Sequence, residues 1–395
     1  MAHNSRGFKR SGSILNKIYK FVILLGVVWF ILLCFLHYFS LRELWLDEKS
    51  VYDNLKNLSF RQVFGPLKHC QAFPRVYLAL IKFISQQFSF HILSLRFLPL
   101  ICMLLSFFMW FKIYRDRLSL RFNFLLVLFS FASSYQLVYY AAELKQYSMD
   151  VLVVGSFCLY LHYQQKFKDK KPTLNFVIFT TILPFFIFLS YAGLFVFWIV
   201  IVNFLLNIRK NKDMVSLATV YILLSAACLF LAYRIDMRYS LSENCLFDYW
   251  RDYFLSTDSI YHFLKSFGEG LQRLVFWPFG NELIVKRIGS LFIPFFISAL
   301  FMPGLDNKNS GIYTVEALGL IIFLELFLLG ILNKYPFTGE RITLFFAPFV
   351  FFMIVKGISL LKKYRPLYVF FSIFYFAFLI LSSFNTLLKY LKFYL

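Results

Sequence analysis

IYKFVILLGVVWFILLCFLHYF (residues 18–39), followed at once by LRELWLDEKSVYDNL (residues 41–55), is the stretch that decides the fold. At 1.5 Å rise per residue, about 20 apolar residues cross the hydrocarbon core of a bilayer, and the first run is long enough to do so. It is too long for the apolar region of a signal peptide and has no small-residue cleavage site, so it reads as a first membrane span. Further apolar runs fall at 75–89, 92–113, 121–139, 147–163, 174–191, 194–208, 214–233, 285–303, 312–331, 342–357 and 366–387, which predicts about twelve spans. The composition agrees: 60% of the 395 residues are hydrophobic, 22% aromatic and only 15% charged, too few charges for a soluble surface.

Lys and Arg number 41 against 20 Asp and Glu. The excess sits in short loops beside apolar runs, which makes it a topology signal and excludes a nucleic-acid surface. With a cytoplasmic N-terminus, the cytoplasmic loops carry Arg6, Lys9, Arg10 and Lys17; Arg115 and Arg117; Lys166, Lys168, Lys170 and Lys171; Arg209, Lys210 and Lys212; and Lys362, Lys363 and Arg365. The outer face then holds a first loop at 40–74, a large loop at 234–284 and a short one at 335–341, with short amphipathic helices expected in them. The chain shows no internal repeat and no soluble domain, so residues 1–395 read as a single all-α polytopic membrane domain.

The first outer loop carries Asp47 and Glu48 about eight residues beyond the first span. An adjacent acid pair there can take a proton or hold a cation, and it can equally serve the N-terminus of a juxtamembrane helix. HCQAFPRVYLALIKFIS and ILSLRFLPLICMLL put Arg75 and Arg96 at the ends of the next two apolar runs, where a guanidinium meets a phosphate or a lipid headgroup. YYAAELKQYSMDVLVV puts Glu143, Lys145, Tyr147 and Asp150 at the start of a span, where charge is costly. Helical spacing predicts Glu143 and Tyr147 on one face, with Lys145 turned away from it to snorkel or to bind. NKYPFTGERITLFF gathers Tyr335, Gly339, Glu340 and Arg341 in a turn before a span, able to offer backbone N–H groups and a guanidinium to phosphate, or simply to turn the chain.

Glu316 and Glu325 lie within predicted spans and call for partners. Cys34, Cys102, Cys158 and Cys228 fall in apolar runs, whereas Cys70 and Cys245 fall in the two long outer loops, where a disulfide between them is an open expectation. His69 and His262 are the outer-loop histidines and lack zinc-ligand spacing, so no His-based metal site is expected.

Taken in order, LWLDE, QAFPRVYLALIKF with LSLRFLPL, YYAAELKQYSMDVL and YPFTGERITLFFAPFVFFMI resemble the short motifs of the C-type (GT-C) membrane glycosyltransferases. Within that class the likeness is to the family 39-like branch of protein O-mannosyltransferases and the lipid A aminoarabinose transferase. It covers most of the chain in short pieces, and it departs at Arg75, where that branch has a second proline, and at Lys145, where it has an arginine. The resemblance implies a GT-C bundle and inverting transfer of a monosaccharide from a polyprenyl-phosphate donor to a lipid, glycan or protein acceptor outside the cytoplasm. By the same likeness Asp47 is the general base, and Glu48 completes the acidic motif. Lys145, Arg341 and Arg75 would surround the donor phosphate, with Glu143, Tyr147, Tyr335 and Arg96 nearby. No cofactor is expected; Mg²⁺ or Mn²⁺ at Asp47 and Glu48 is the less favoured form of the site. A bacterial inner or plasma membrane is the expected location. The rival readings are a flippase for lipid-linked sugars, which usually shows two related halves, and an oligosaccharide polymerase or ligase.

Overall fold

The computed structural model describes residues 5–164, 173–208, 213–241, 244–302 and 315–392. Lys166, Lys168, Lys170, Lys171, Arg209, Lys210 and Lys212, assigned above to cytoplasmic loops, lie outside the described residues, as do the side chains of Arg6, Lys9 and Arg10. Among the described residues there are helices and no strands, as a lipid-embedded backbone requires when each N–H must find its partner within its own segment.

The helices run α1 (Ser5–Phe39), α2 (Leu46–Asn57), α3 (Arg75–Gln86), α4 (Ile92–Arg117), α5 (Arg121–Ala132), α6 (Tyr135–Tyr140), α7 (Tyr147–Gln164), α8 (Leu174–Ile182) and α9 (Leu194–Ile208). They continue as α10 (Asp213–Ala232), α11 (Arg238–Leu241), α12 (Asn244–Trp250), α13 (Ile260–Phe276), α14 (Leu283–Ser290), α15 (Ile293–Phe301), α16 (Val315–Ile331), α17 (Ala347–Leu360) and α18 (Arg365–Leu391). Among the described residues five helices are long and apolar enough to cross a membrane: Ile14–Phe39, Ile92–Arg117, Val215–Met237, Arg341–Lys363 and Arg365–Leu391; a sixth span arises if α14 and α15, bent by 42°, count as one. The chain is an all-α, membrane-embedded protein.

The expected span at 75–89 differs. It is the 12-residue α3, about 18 Å long at 1.5 Å per residue, which is too short to cross hydrocarbon alone. Its apolar positions form one stripe rather than a full circumference, with Tyr77, Leu78 and Ile81 buried, so it packs as an amphipathic helix. In the first outer loop α2 does the same, burying Glu48, Val51, Asn54 and Leu55.

Contacts sort the helix ends into two sets. Tyr38 at the end of α1 donates to the Leu93 carbonyl at the start of α4 (2.8 Å), and Lys389 near the end of α18 pairs with Glu282 just before α14. At the opposite end Arg121 lies over the Tyr19 ring at 5.2 Å, and Tyr368 bonds Asn123 at 2.7 Å. The Arg341–Lys363 span is 83% buried and forms the centre, whereas Ile14–Phe39 is 22% buried and lies at the rim. Packing and interhelical polar bonds, rather than a hydrophobic gradient, hold such helices together in lipid. Here Trp110 meets Phe349 edge-on at 5.0 Å, Ser130 bonds Tyr375 at 2.8 Å and Tyr160 bonds Thr180 at 2.9 Å. Glu316 and Glu325 have partners as well: Glu316 faces Lys356 at 3.5 Å, and Glu325 accepts from the Trp198 indole.

Candidate active site

Three stretches that are distant in sequence meet where the first set of helix ends gathers. Leu41, in the left-handed region at φ 49°, turns the chain at the end of α1 so that Arg42 to Trp45 lead into α2. Asp47 stands in the first turn of α2, and its side chain retains 22% exposure. One carboxylate oxygen lies 3.6 Å from Lys145 Nζ; the other is in direct contact with the Arg341 guanidinium. Lys145 Nζ also donates to Gln71 Oε1 at 2.6 Å. Arg341 donates to the Tyr249 hydroxyl at 3.1 Å and sits among the rings of Trp45, Tyr249 and Trp250, 5.4, 5.5 and 5.7 Å from their centroids. Such rings stabilise a guanidinium while leaving one edge for an anion.

Glu48 is different from its neighbour. It has no exposed surface and accepts from Arg96 Nε (3.0 Å) and Nη2 (2.9 Å), from Arg42 Nη1 (2.9 Å) and from the Leu144 backbone N–H (2.8 Å). It also accepts from the Trp45 N–H at 3.4 Å, satisfying a free donor at the start of α2. Glu48 therefore ties together the first loop, α4 and the 141–146 turn, with its lone pairs occupied.

That turn corrects the helical-face expectation. Residues 141–146 form a tight non-helical connection, in which the Lys145 N–H bonds the Glu143 carbonyl at 2.7 Å, and α7 begins only at Tyr147. Lys145 and Glu143 accordingly sit in a turn over the bundle, not along a helix, and Lys145 points at Asp47. Glu143 has no exposed surface, and neither of its carboxylate oxygens has a hydrogen-bond partner; Arg42 Nη2 stands 4.0 Å away. Burial, then the nearby Glu48 charge, pushes its carboxyl up to about 8. Burial pulls the Lys145 ammonium down, with Asp47 opposing that effect.

The remaining expected site residues divide. Tyr147 is buried beside this cluster, edge-on to Tyr140 at 5.0 Å, and Tyr335 donates to the Ile342 carbonyl at 2.6 Å, bracing the turn that carries Arg341. Arg96 serves Glu48. Arg75 is not brought to Asp47: it is 1% exposed, its backbone N–H bonds Asp236 Oδ2 at 3.0 Å, its Nε lies 3.9 Å from Asp236 Oδ1, and its Nη1 donates to the Phe73 carbonyl at 2.8 Å. Cys70 and Cys245 form a disulfide that ties the first loop to α12, the helix carrying Tyr249 and Trp250. Among the described residues no group of three or more His, Cys, Asp or Glu side chains is placed to hold a metal ion. A surface groove of about 430 Å³, lined by Glu43, Leu44, Lys49, Tyr52, Asp53 and Ile92, opens on the opposite side of α2 from Asp47.

Arg42, Gln71, Trp45, Tyr249 and Trp250 belong to this site and were not singled out from sequence. Arg42 carried a signal, a cation six residues before Glu48 in a loop too short to separate them. Tyr249, 92 residues from Arg341, carried none.

No family model, curated protein or solved structure matches this chain.

Proposed function

We propose that the protein is a membrane glycosyltransferase that moves a monosaccharide from a polyprenyl-phosphate carrier to an acceptor, with inversion and with Asp47 as general base. The observation that carries this reading is a partly exposed carboxylate held between a buried and a partly buried cation at a helix-end boundary: Asp47 with Lys145 at 3.6 Å on one side and Arg341 in contact on the other. In this resting arrangement Asp47 occupies the cations as an anion of their own. A donor phosphodiester draws Lys145 and Arg341 to its oxygens, where opposite charge in a partly desolvated site counts for more than in water. Asp47, released from them, accepts the acceptor's proton as the acceptor oxygen or nitrogen attacks the anomeric carbon. The bond from that carbon to phosphate oxygen breaks, the electron pair leaves with the phosphate, and polyprenyl phosphate departs. Glu48 and Arg96 position the loop and touch no substrate.

The fold supports a GT-C-like bundle. Among the described residues, five helices long and apolar enough to cross a membrane, or six with α14 and α15 as one, accompany shorter apolar helices such as α5, α8 and α9. On this reading the site and the Cys70–Cys245 disulfide face an oxidising, extracytoplasmic compartment, which in a bacterial inner membrane lies opposite the basic loops.

The test is transfer by the purified protein in lipid nanodiscs, with a panel of radiolabelled polyprenyl-phosphate monosaccharides and membrane-lipid acceptors. Release of polyprenyl phosphate with inverted product from one donor is expected from the wild type, and Lys145→Glu abolishes it. Undiminished turnover by Lys145→Glu excludes the site.

A further inference from the structure

Glu143 is the one carboxylate beside the site whose state the transfer chemistry leaves unexplained. It is fully buried, both of its oxygens lack hydrogen bonds, and Arg42, 4.0 Å away, is already engaged by Glu48 at 2.9 Å. A buried carboxylate that receives no hydrogen bond is costly as an anion and far less so as an acid. The charged groups facing it come from every element around it. Arg42 and Glu48 lie on the first loop and α2, Arg96 on α4, Lys145 two residues onward and Arg341 before α17. The phenols of Tyr135, Tyr139 and Tyr140 on α6 and Tyr147 on α7 complete the shell.

We infer that Glu143 is a positioning residue that holds a proton when the phosphate of the donor binds, and that its ionisation weakens phosphate binding by cancelling one unit of the site's positive charge. With every group ionised, four cations (Arg42, Arg96, Lys145, Arg341) face three carboxylates (Asp47, Glu48, Glu143), a surplus of one. A proton on Glu143 raises the surplus to two, so a phosphodiester monoanion meets a more positive site. Asp47 keeps its role as base in either state, because the proton on Glu143 takes no part in the bonds made and broken. This inference rests on the proposed phosphate site and names what tunes it.

Two measurements keep it separable from that reading. Thermal unfolding against pH, with no ligand, tests the proton alone. A folded-state carboxyl raised from its ordinary 4.5 to about 8 binds a proton that the unfolded chain has lost, so stability falls as pH rises through that window. Glu143→Gln removes this fall; a variant that keeps the wild-type pH slope overturns the inference. Binding of farnesyl methyl phosphate, a diester that keeps one negative charge between pH 6.5 and 9, tests the coupling. Wild-type affinity is expected to drop by about fivefold or more across that range, the lower end of common coupling factors, while Glu143→Gln binds tightly and evenly throughout. A variant with the wild-type pH dependence, or a flat wild type, overturns the inference. Absence of binding by both proteins overturns the phosphate site as well.

Discussion

Glu48→Gln strips one anion from a buried knot in which Arg42 and Arg96 have 8% and no side-chain exposure. Breaking a buried pair from one side leaves uncompensated charge and typically costs about 3–5 kcal/mol, far more than the pair contributes net. Thermal unfolding in detergent is expected to show Glu48→Gln severely destabilised, with loss of folded protein on purification. Asp47→Asn, removing an acid whose side chain is 22% exposed and whose cations Lys145 and Arg341 keep other partners, is expected to be destabilised clearly less than Glu48→Gln and to remain purifiable as folded protein. Equal stability of the two variants contradicts this division of the acid pair into an inner positioning carboxylate and an outer reacting one. The sequence placed both residues in one motif. It did not say which was buried, because that depends on where a one-residue step around α2 points relative to Arg96, 48 positions away.

At the level of elements, the turn at 335–341 is set by a close approach. A methyl group added at Gly339 would overlap the Arg273 carbonyl of α13, so the backbone must move if any side chain is placed there. Overpacking of this kind costs about 1–3 kcal/mol, and it displaces Arg341, two residues on, from Asp47. Gly339→Ala is therefore expected to lower the unfolding temperature and to reduce transfer at saturating acceptor; a variant matching the wild type in both rules out this role for the turn. The five long spans were legible because each is a run of apolar residues of bilayer length. The limits of that signal show at α3, where a 15-residue stretch with nine apolar positions (75–89) fits an amphipathic helix and a short span equally well. They show again at residues 141–146, where no Gly or Pro announces the break before α7 and an unbroken helix was the natural expectation.

Over the whole molecule, convergence rather than motif defines the site. Asp47, Lys145 and Arg341 come from loops separated by 98 and 196 positions in the numbering, and the bundle gathers them only because α1, α7 and α17 end at the same boundary. Sequence reading proposed these three as one group by resemblance. It also added Arg75, which the fold commits to Asp236 instead; an arginine at a helix start gives no indication of which distant carboxylate will claim it. The aromatic shell around Arg341 and the Gln71 contact to Lys145 exist only in three dimensions. The most direct measurement is single-turnover sugar transfer by Asp47→Asn alongside donor binding by the same protein. With Asp47 as general base, donor binding persists and the transfer rate falls by about 10²–10⁴-fold; transfer at the wild-type rate by a folded, donor-binding Asp47→Asn protein contradicts it.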